Sequence, residues 1–344
     1  MAQGVGGMRN SKREADLQAG LAAVAQAQKR AAEGDAAAAR DLLAALGDRA
    51  ALVREAAARA IHLVAHDLQG TWPAGAGGDV AAVGTLLAAV AAAEAAPPAS
   101  DPACRIRKEA VMALGELRGP VARVEPALRH CAGTVQIEII MGAPEDTAVM
   151  LRANAALVMA QLQCDCLPDL GLLLFDGVPD PVTHVDWTAG AREAAARAIA
   201  LLGDPAGAAL LAVRLRERRE AGEVLAACID ALCALEHPRA AAWIAPMLQA
   251  QDPQACVAAA TALCALRPDE AAEAIPARAA IAPPGLAEAL VIALGSARSA
   301  LTVPAVRRLL EDGRPVVRRA AAAALEALGV GTQTEGTGHG GRSR

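Results

Sequence analysis

An all-α solenoid of about eight helical hairpins is the fold class this sequence predicts, and three observations predict it. Leu232, Leu263, Leu294 and Leu325 follow one another at intervals of 31 residues, a period at which stacked units share a continuous core that none could bury alone. The stretch Arg54–Ile61 recurs letter for letter as Arg192–Ile199, and Ala231–Leu235 recurs as Ala262–Leu266, each with apolar residues at helical spacing. The 344 residues are 54% hydrophobic, mostly through alanine, and only 1% aromatic. Alanine orders in a helix at no side-chain entropy and lets helices approach closely, with the spaced Leu and Ile as pins.

Upstream the repeat continues more loosely through Ile199, Met159, Leu114 and Ile61, which gives eight repeats. Residues 1–9, rich in Gly, are expected to be disordered. Residues 10–34 are expected to form an N-terminal capping helix entered at Ser11, whose spacing to Glu14 is that of a capping box. Residues 35–205 hold four front repeats with long internal loops, and 206–330 hold four rear repeats. Residues 331–344, rich in Gly, Thr and Ser, form an expected disordered tail. Each repeat is an A helix, a loop and a B helix. Several A helices carry a proline, at Pro126, Pro246, Pro276 and Pro304, expected to bend or break them.

Asp101–Leu117 and Asp312–Leu328, with an acidic start, a central Val-Arg-like pair and an Ala-x-x-Ala-Leu-like end, resemble HEAT repeats. The short 31-residue form is similar to the HEAT-like repeats of phycobilisome lyases and of many bacterial proteins, over about residues 35–330. The resemblance implies a right-handed solenoid and, for most of the family, protein–protein scaffolding. It also admits an accessory lyase or chaperone of the bilin-lyase kind. Deoxyhypusine hydroxylase has a similar architecture, but its iron-binding His-Glu pairs are absent here, because no His is followed by Glu.

Counting back from the B-helix pins, Asp stands thirteen and Arg seven positions earlier in five repeats. These are Asp48 with Arg54, Asp101 with Arg107, Asp146 with Arg152, Asp186 with Arg192, and Asp312 with Arg318. Asp suits the N-cap of helix B. Six residues turn a helix through about 600 degrees, so each Arg is expected to reach the Asp of an adjacent repeat, forming a structural ladder. The first three of the rear repeats lack both residues, so the ladder should stop after the fourth repeat and leave an apolar rear half.

The loops Ala96–Asp101, Ala132–Asp146 and Asp176–Asp186 are long, and equivalent solenoid loops emerge along one rim. The middle one contains a β-prone insertion at 134–140, Thr134 to Ile140, alternating and β-branched, which either pairs back on itself or offers an edge to a partner strand. Gln136, Glu138, Ile140, Met141, Asp176, Asp180, His184 and Trp187 are the candidate partner-binding residues of this rim.

No constellation commits the chain to catalysis, a cofactor or a metal. His62 and His66 lie four apart with no third ligand, and the eight cysteines form no paired Cys-x-x-Cys knuckles, so they are expected as packing residues. The formal charge of −5 disfavours nucleic acid. Arg214, Arg216, Arg218, Arg219 and Arg307, Arg308, Arg314, Arg318, Arg319 are basic clusters diluted by acids and without stacking aromatics. The longest uncharged apolar run, Val80–Ala93, is too short to cross a bilayer, and the start has no signal-peptide core. The expectation is a non-catalytic, cytoplasmic scaffold or adaptor whose partner is another protein, with bilin-lyase accessory activity and nucleic-acid backbone binding as the alternatives.

Overall fold

A computed structural model describes residues 3–65, 78–177, 186, 188–217, 220–297 and 299–330. Seventeen α helices and one two-stranded sheet account for most of the regular structure of these residues. Helix α1 (Gln3–Ala32) precedes four hairpins: α2 (Ala36–Ala45) with α3 (Ala51–Ala65), α4 (Gly78–Ala95) with α5 (Arg105–Leu117), α6 (Val121–Ala132) with α7 (Val149–Gln161), and α8 (Leu167–Leu174) with α9 (Ala189–Leu202). Four more follow: α10 (Gly207–Arg214) with α11 (Gly222–Ala234), α12 (Ala240–Ile244) with α13 (Pro253–Leu266), α14 (Pro268–Ile281) with α15 (Pro284–Ser296), and α16 (Val303–Arg308) with α17 (Pro315–Ala327). The expected all-α repeat architecture is therefore present. The chain divides into two compact bodies, Met1–Asp204 and Pro205–Arg344.

In the first body α1 covers α2 and α3, and the B helices pack in series, α3 on α5, α5 on α7 and α7 on α9. In the second body α11, α13, α15 and α17 pack in the same serial way. The pins occupy the seams. Ile61, Leu114, Met159 and Ile199 in one body, and Leu232, Leu263, Leu294 and Leu325 in the other, are at most 1% exposed. Between them the B helices bury alanines such as Ala57, Ala110, Ala195, Ala259 and Ala321.

So little side-chain bulk brings backbones close. A Cβ on Gly295 of α15 would stand 2.5 Å from Cβ and 2.9 Å from Cα of Ala324 in α17. One on Gly222 would stand 2.0 Å from the Asp252 carboxylate. That carboxylate accepts from the backbone N–H of Gln254 and Ala255 at 2.8 and 3.0 Å and so caps α13, as Asp35 caps α2.

Two sequence-based expectations, for the N-terminus and for helix breaks at Pro126, Pro276 and Pro304, need correction. Helix α1 begins at Gln3, so part of 1–9 is helical and Ser11 lies inside the helix rather than capping it. Extending a helix already nucleated by the alanine-rich stretch downstream costs less than starting one. Pro126 and Pro276 lie within α6 and α14, which continue through them, and Pro304 sits in the first turn of α16, where its missing N–H is not needed. Among these four prolines, only at Pro246 does the α-helix end, α12 passing into a 3₁₀ turn, Ala245–Gln249. The tail at 331–344 lies outside the described residues.

The expected β-prone segment forms a hairpin, β1 (Ile137–Ile140) antiparallel to β2 (Ala143–Asp146), with Ile137 opposite Asp146 and Ile140 opposite Ala143. Met141 and Gly142 form the turn with φ of 51° and 90°, the two positive values that a tight hairpin turn of this type requires. No helix among the described residues is long and apolar enough to cross a membrane.

This packing sets the expected cost of two substitutions. Leu263→Ala should lower the unfolding free energy by about 2–5 kcal/mol, because a fully buried pin leaves a cavity. Gly295→Ala, although it adds only a methyl to a helix, should cost about 1–3 kcal/mol by overpacking. Urea denaturation of both variants checks the pair.

Candidate protein-interaction site

Along the rim of the first body three of the ladder arginines close on the Asp of their own repeat. Arg107 Nε donates to Asp101 Oδ2 at 2.8 Å, Arg152 Nη1 to Asp146 Oδ2 at 2.6 Å, and Arg192 pairs with Asp186. This corrects the expected pairing between repeats. Helical rotation would keep the two side chains apart only if Asp were itself helical, whereas it lies in the loop ahead of the helix and the arginine folds back. Nor is Asp the N-cap: Asp48, Asp146, Asp186 and Asp312 each accept from the N–H two residues on, an Asx turn just outside the helix. Arg54 and Arg318 pair with no carboxylate among the described residues. They donate to the carbonyls of Asp48 and Asp312 at 2.9 and 2.7 Å.

The links between repeats come from the remaining guanidinium donors. Arg54 Nη2 donates to Ser100 O at 3.1 Å, Arg107 Nη2 to Gln136 Oε1, and Arg152 Nε lies 3.0 Å from the Asp176 carboxylate. Each ties a B helix to the A–B loop of the next repeat. The second body, expected to be purely apolar, uses other arginines for the same purpose. Arg278 Nε donates to Leu248 O at 2.9 Å, and Arg314 donates to Ala282 O and Ala279 O, both at 3.0 Å.

These links turn the hairpin inside out. Gln136 is buried, its Oε1 accepting from Arg107 and its Nε2 donating to Asp101 O at 3.1 Å. Glu138 Oε2 accepts the N–H of Ala103 at 3.0 Å. Ala103 and Cys104 both have left-handed φ, 51° and 52°, a strained pair that this bond helps hold. Because side chains alternate faces along a strand, fixing Gln136 and Glu138 inward forces Val135, Ile137 and Ile139 outward, and they are 64%, 56% and 70% exposed. Met141 at the tip is fully exposed and Ile140 partly so. Leu172 of α8, also exposed, shares with Val135 the wall of a cavity of about 170 Å³. Arg129, Arg152, Asp169 and Asp176 line the same cavity, so Leu172 lies beside the hairpin across a partly charged wall.

Of the residues expected to meet a partner, Met141 is on this surface, while Ile140 falls on the side of Gln136 and Glu138 and is only partly exposed. Gln136 and Glu138 are structural instead, drawn inward by Arg107 and the Ala103 N–H. Asp176 is likewise engaged: its carboxylate faces Arg152, and its carbonyl accepts from Arg192 at 3.0 Å. Asp180, His184 and Trp187 lie outside the described residues. Val135, Ile137, Ile139 and Leu172 are the surface residues that sequence reasoning misses. The alternation of 134–140 announces two faces, but nothing in it says which one faces water.

Other candidate chemistry is occupied structurally. His62 Nδ1 lies 3.2 Å from Glu109, which also accepts from Arg59 at 3.1 Å, and the bond to His62, more than that to Arg59, holds the Glu109 carboxyl below its ordinary value. His66 lies outside the described residues. No three His, Cys, Asp or Glu side chains among the described residues converge as a metal site would need. All eight cysteines are free and seven are buried, with burial pushing the Cys131 and Cys166 thiols up to about 12. Such thiols pack rather than react. In the basic clusters, Arg214 pairs with Glu220, Arg314 with Asp312, and Arg318 with backbone carbonyls, while Arg218 and Arg219 lie outside the described residues. His237 stacks on Trp243 at 4.6 Å, with Arg239 over the same ring.

No protein-family model matches the chain, and no curated protein does. Among solved structures it is similar to YibA of Escherichia coli, at 16% identity over 84% of this chain and 92% of that one, with a TM-score of 0.49. It is also similar to the CpcE–CpcF complex of phycocyanin lyase from Nostoc, at 22% identity over 65% of this chain and 89% of that one, with a TM-score of 0.37. Human deoxyhypusine hydroxylase aligns at 15% identity over 91% and 98%, with a TM-score of 0.25.

Replacing Arg107 with Ala strands the buried Asp101 carboxylate and should cost about 3–5 kcal/mol of stability, measurable by urea denaturation. A pH dependence follows from two further carboxyls. Burial alone would raise Asp186, but hydrogen bonds and charge from Arg192 outweigh it and hold the group below its ordinary 3.8. Arg314 holds Asp312 at about 2. A depressed folded-state value means stability present above 3.8 and lost as pH falls towards 2 and below. Melting temperatures across that window should drop in the wild type and drop less in a variant carrying Arg192→Met and Arg314→Met.

Proposed function

We propose that the chain is a non-catalytic protein–protein interaction scaffold of HEAT-like repeats, and that its principal contact surface is the outward face of the β1–β2 hairpin with Leu172 beside it. The observation that carries this reading is the inverted hairpin. Its polar side chains are spent on the neighbouring repeat, while Val135, Ile137 and Ile139 stand in water at more than half exposure. A β-branched row costs free energy to leave hydrated, and contiguous exposed apolar surface of this kind marks interaction sites. A mere loop cover would turn its apolar face inward. The rigid mounting supports the same reading, because Gln136, Glu138 and the Arg107–Asp101 pair hold the hairpin in one orientation before any partner arrives.

The test substitutes Ile137→Lys with Ile139→Lys, which leaves the inward-facing residues untouched. Tagged wild type and variant are expected to melt at the same temperature by circular dichroism, and the polypeptides captured specifically from host extract by the wild type should be absent from the variant's eluate. Identical eluates would remove the hairpin from the contact surface.

A further inference from the structure

The two edges of the hairpin are not equivalent. Ile140 and Ala143 flank a two-residue turn, and Thr147 N–H donates to Gln136 O at 2.8 Å. In an antiparallel pair, hydrogen-bonded and non-hydrogen-bonded positions alternate. Positions 136, 138 and 140 therefore turn their backbone groups toward β2, and Ile137 and Ile139 turn theirs away from it. No group among the described residues bonds those outward N–H and C=O groups. On β2 the outward positions are Pro144 and Asp146, and proline has no N–H to offer. One edge of this sheet is blocked, and the other is open and flanked by exposed isoleucines.

We infer that the open edge of β1 pairs antiparallel with β1 of a second copy of this chain, about a twofold axis, to give a four-stranded sheet. This rests on the reading above and names the occupant of the strand edge that borders that surface. Two features favour a second copy. Pairing uses each open edge once, and the resulting sheet ends on both sides in β2, each protected by Pro144, so the assembly closes at two instead of growing. A register centred on Ile139 sets Ile137 opposite Met141 of the other copy and Glu138 opposite Ile140, so the two Glu138 carboxylates do not face each other across the axis.

The purified 344-residue chain is expected to sediment, at the upper end of a concentration series, at twice its 34.8 kDa. Ile139→Pro removes one N–H from the open edge without touching a bond inside the hairpin, and should halve the mass with an unchanged circular dichroism melt. Should that variant fail to fold, Ile137→Lys with Ile139→Lys takes its place under the same criterion. Ile139→Cys, placed on the axis, should give a covalent dimer on mild oxidation, since seven of the eight native thiols are buried. A wild type that stays monomeric throughout, or a dimer that persists in the edge variants, overturns the inference. A monomer that still captures another polypeptide, with capture lost in the lysine variant, overturns the second copy alone and leaves the scaffold standing. A monomer that captures nothing overturns both.

Discussion

Close approach of alanine-faced B helices is the constraint on which everything else in each body depends. Alanine contributes little apolar area, so a hairpin gains enough burial only if its backbone comes very near the next one. The distances show how near: Gly295 cannot carry a Cβ against Ala324, and a Cβ on Gly115 would meet Val158 at 3.0 Å. The pins supply the bulk that alanine lacks, one to each B helix, at positions where the surrounding chain closes over them. Stability is spread along each stack, and no single large aromatic core anchors it.

Close helices leave a polar problem at the rim, where loops must join A to B and backbone groups lack helical partners. The arginines solve it. A guanidinium has donors pointing in several directions, so Arg107 satisfies Asp101, Cys104 Sγ and Gln136 at once. In the second body Arg278 and Arg314 take carbonyls at helix ends instead, and the Cys256 thiol donates to the same Leu248 carbonyl that accepts from Arg278. The same physical need is met by different residues at different repeat positions. That is why a count of Asp and Arg at fixed register could not find the second set.

The hairpin joins these two themes. It exists because the third A–B loop carries an alternating, β-branched stretch, and it is oriented because the second repeat offers buried donors that only its polar side chains can meet. Function, on the proposed reading, is a by-product of that satisfaction: the apolar residues face solvent because the polar ones were needed inside. A surface produced this way is rigid and exposed at the same time, as suits recognition by shape and strand pairing.

The repeat period, the identity of the pins, the helical class and the strand tendency at 134–140 were all legible in the chain, because periodicity and propensity are properties of local sequence. Leu232 and its counterparts announce burial by recurrence alone. What only the tertiary structure decided was pairing and facing. Arg107 could have reached either neighbour until the position of Asp101 ahead of helix α5 settled it. Gly222 and Gly295 look like ordinary helical glycines until Asp252 and Ala324 arrive beside them. Val135, Ile137 and Ile139 could by their pattern have faced either way, and became a surface because a donor 29 residues away in sequence claimed the opposite side of the strand. Local pattern sets which residues go together; the polar groups brought near by folding set which way they turn.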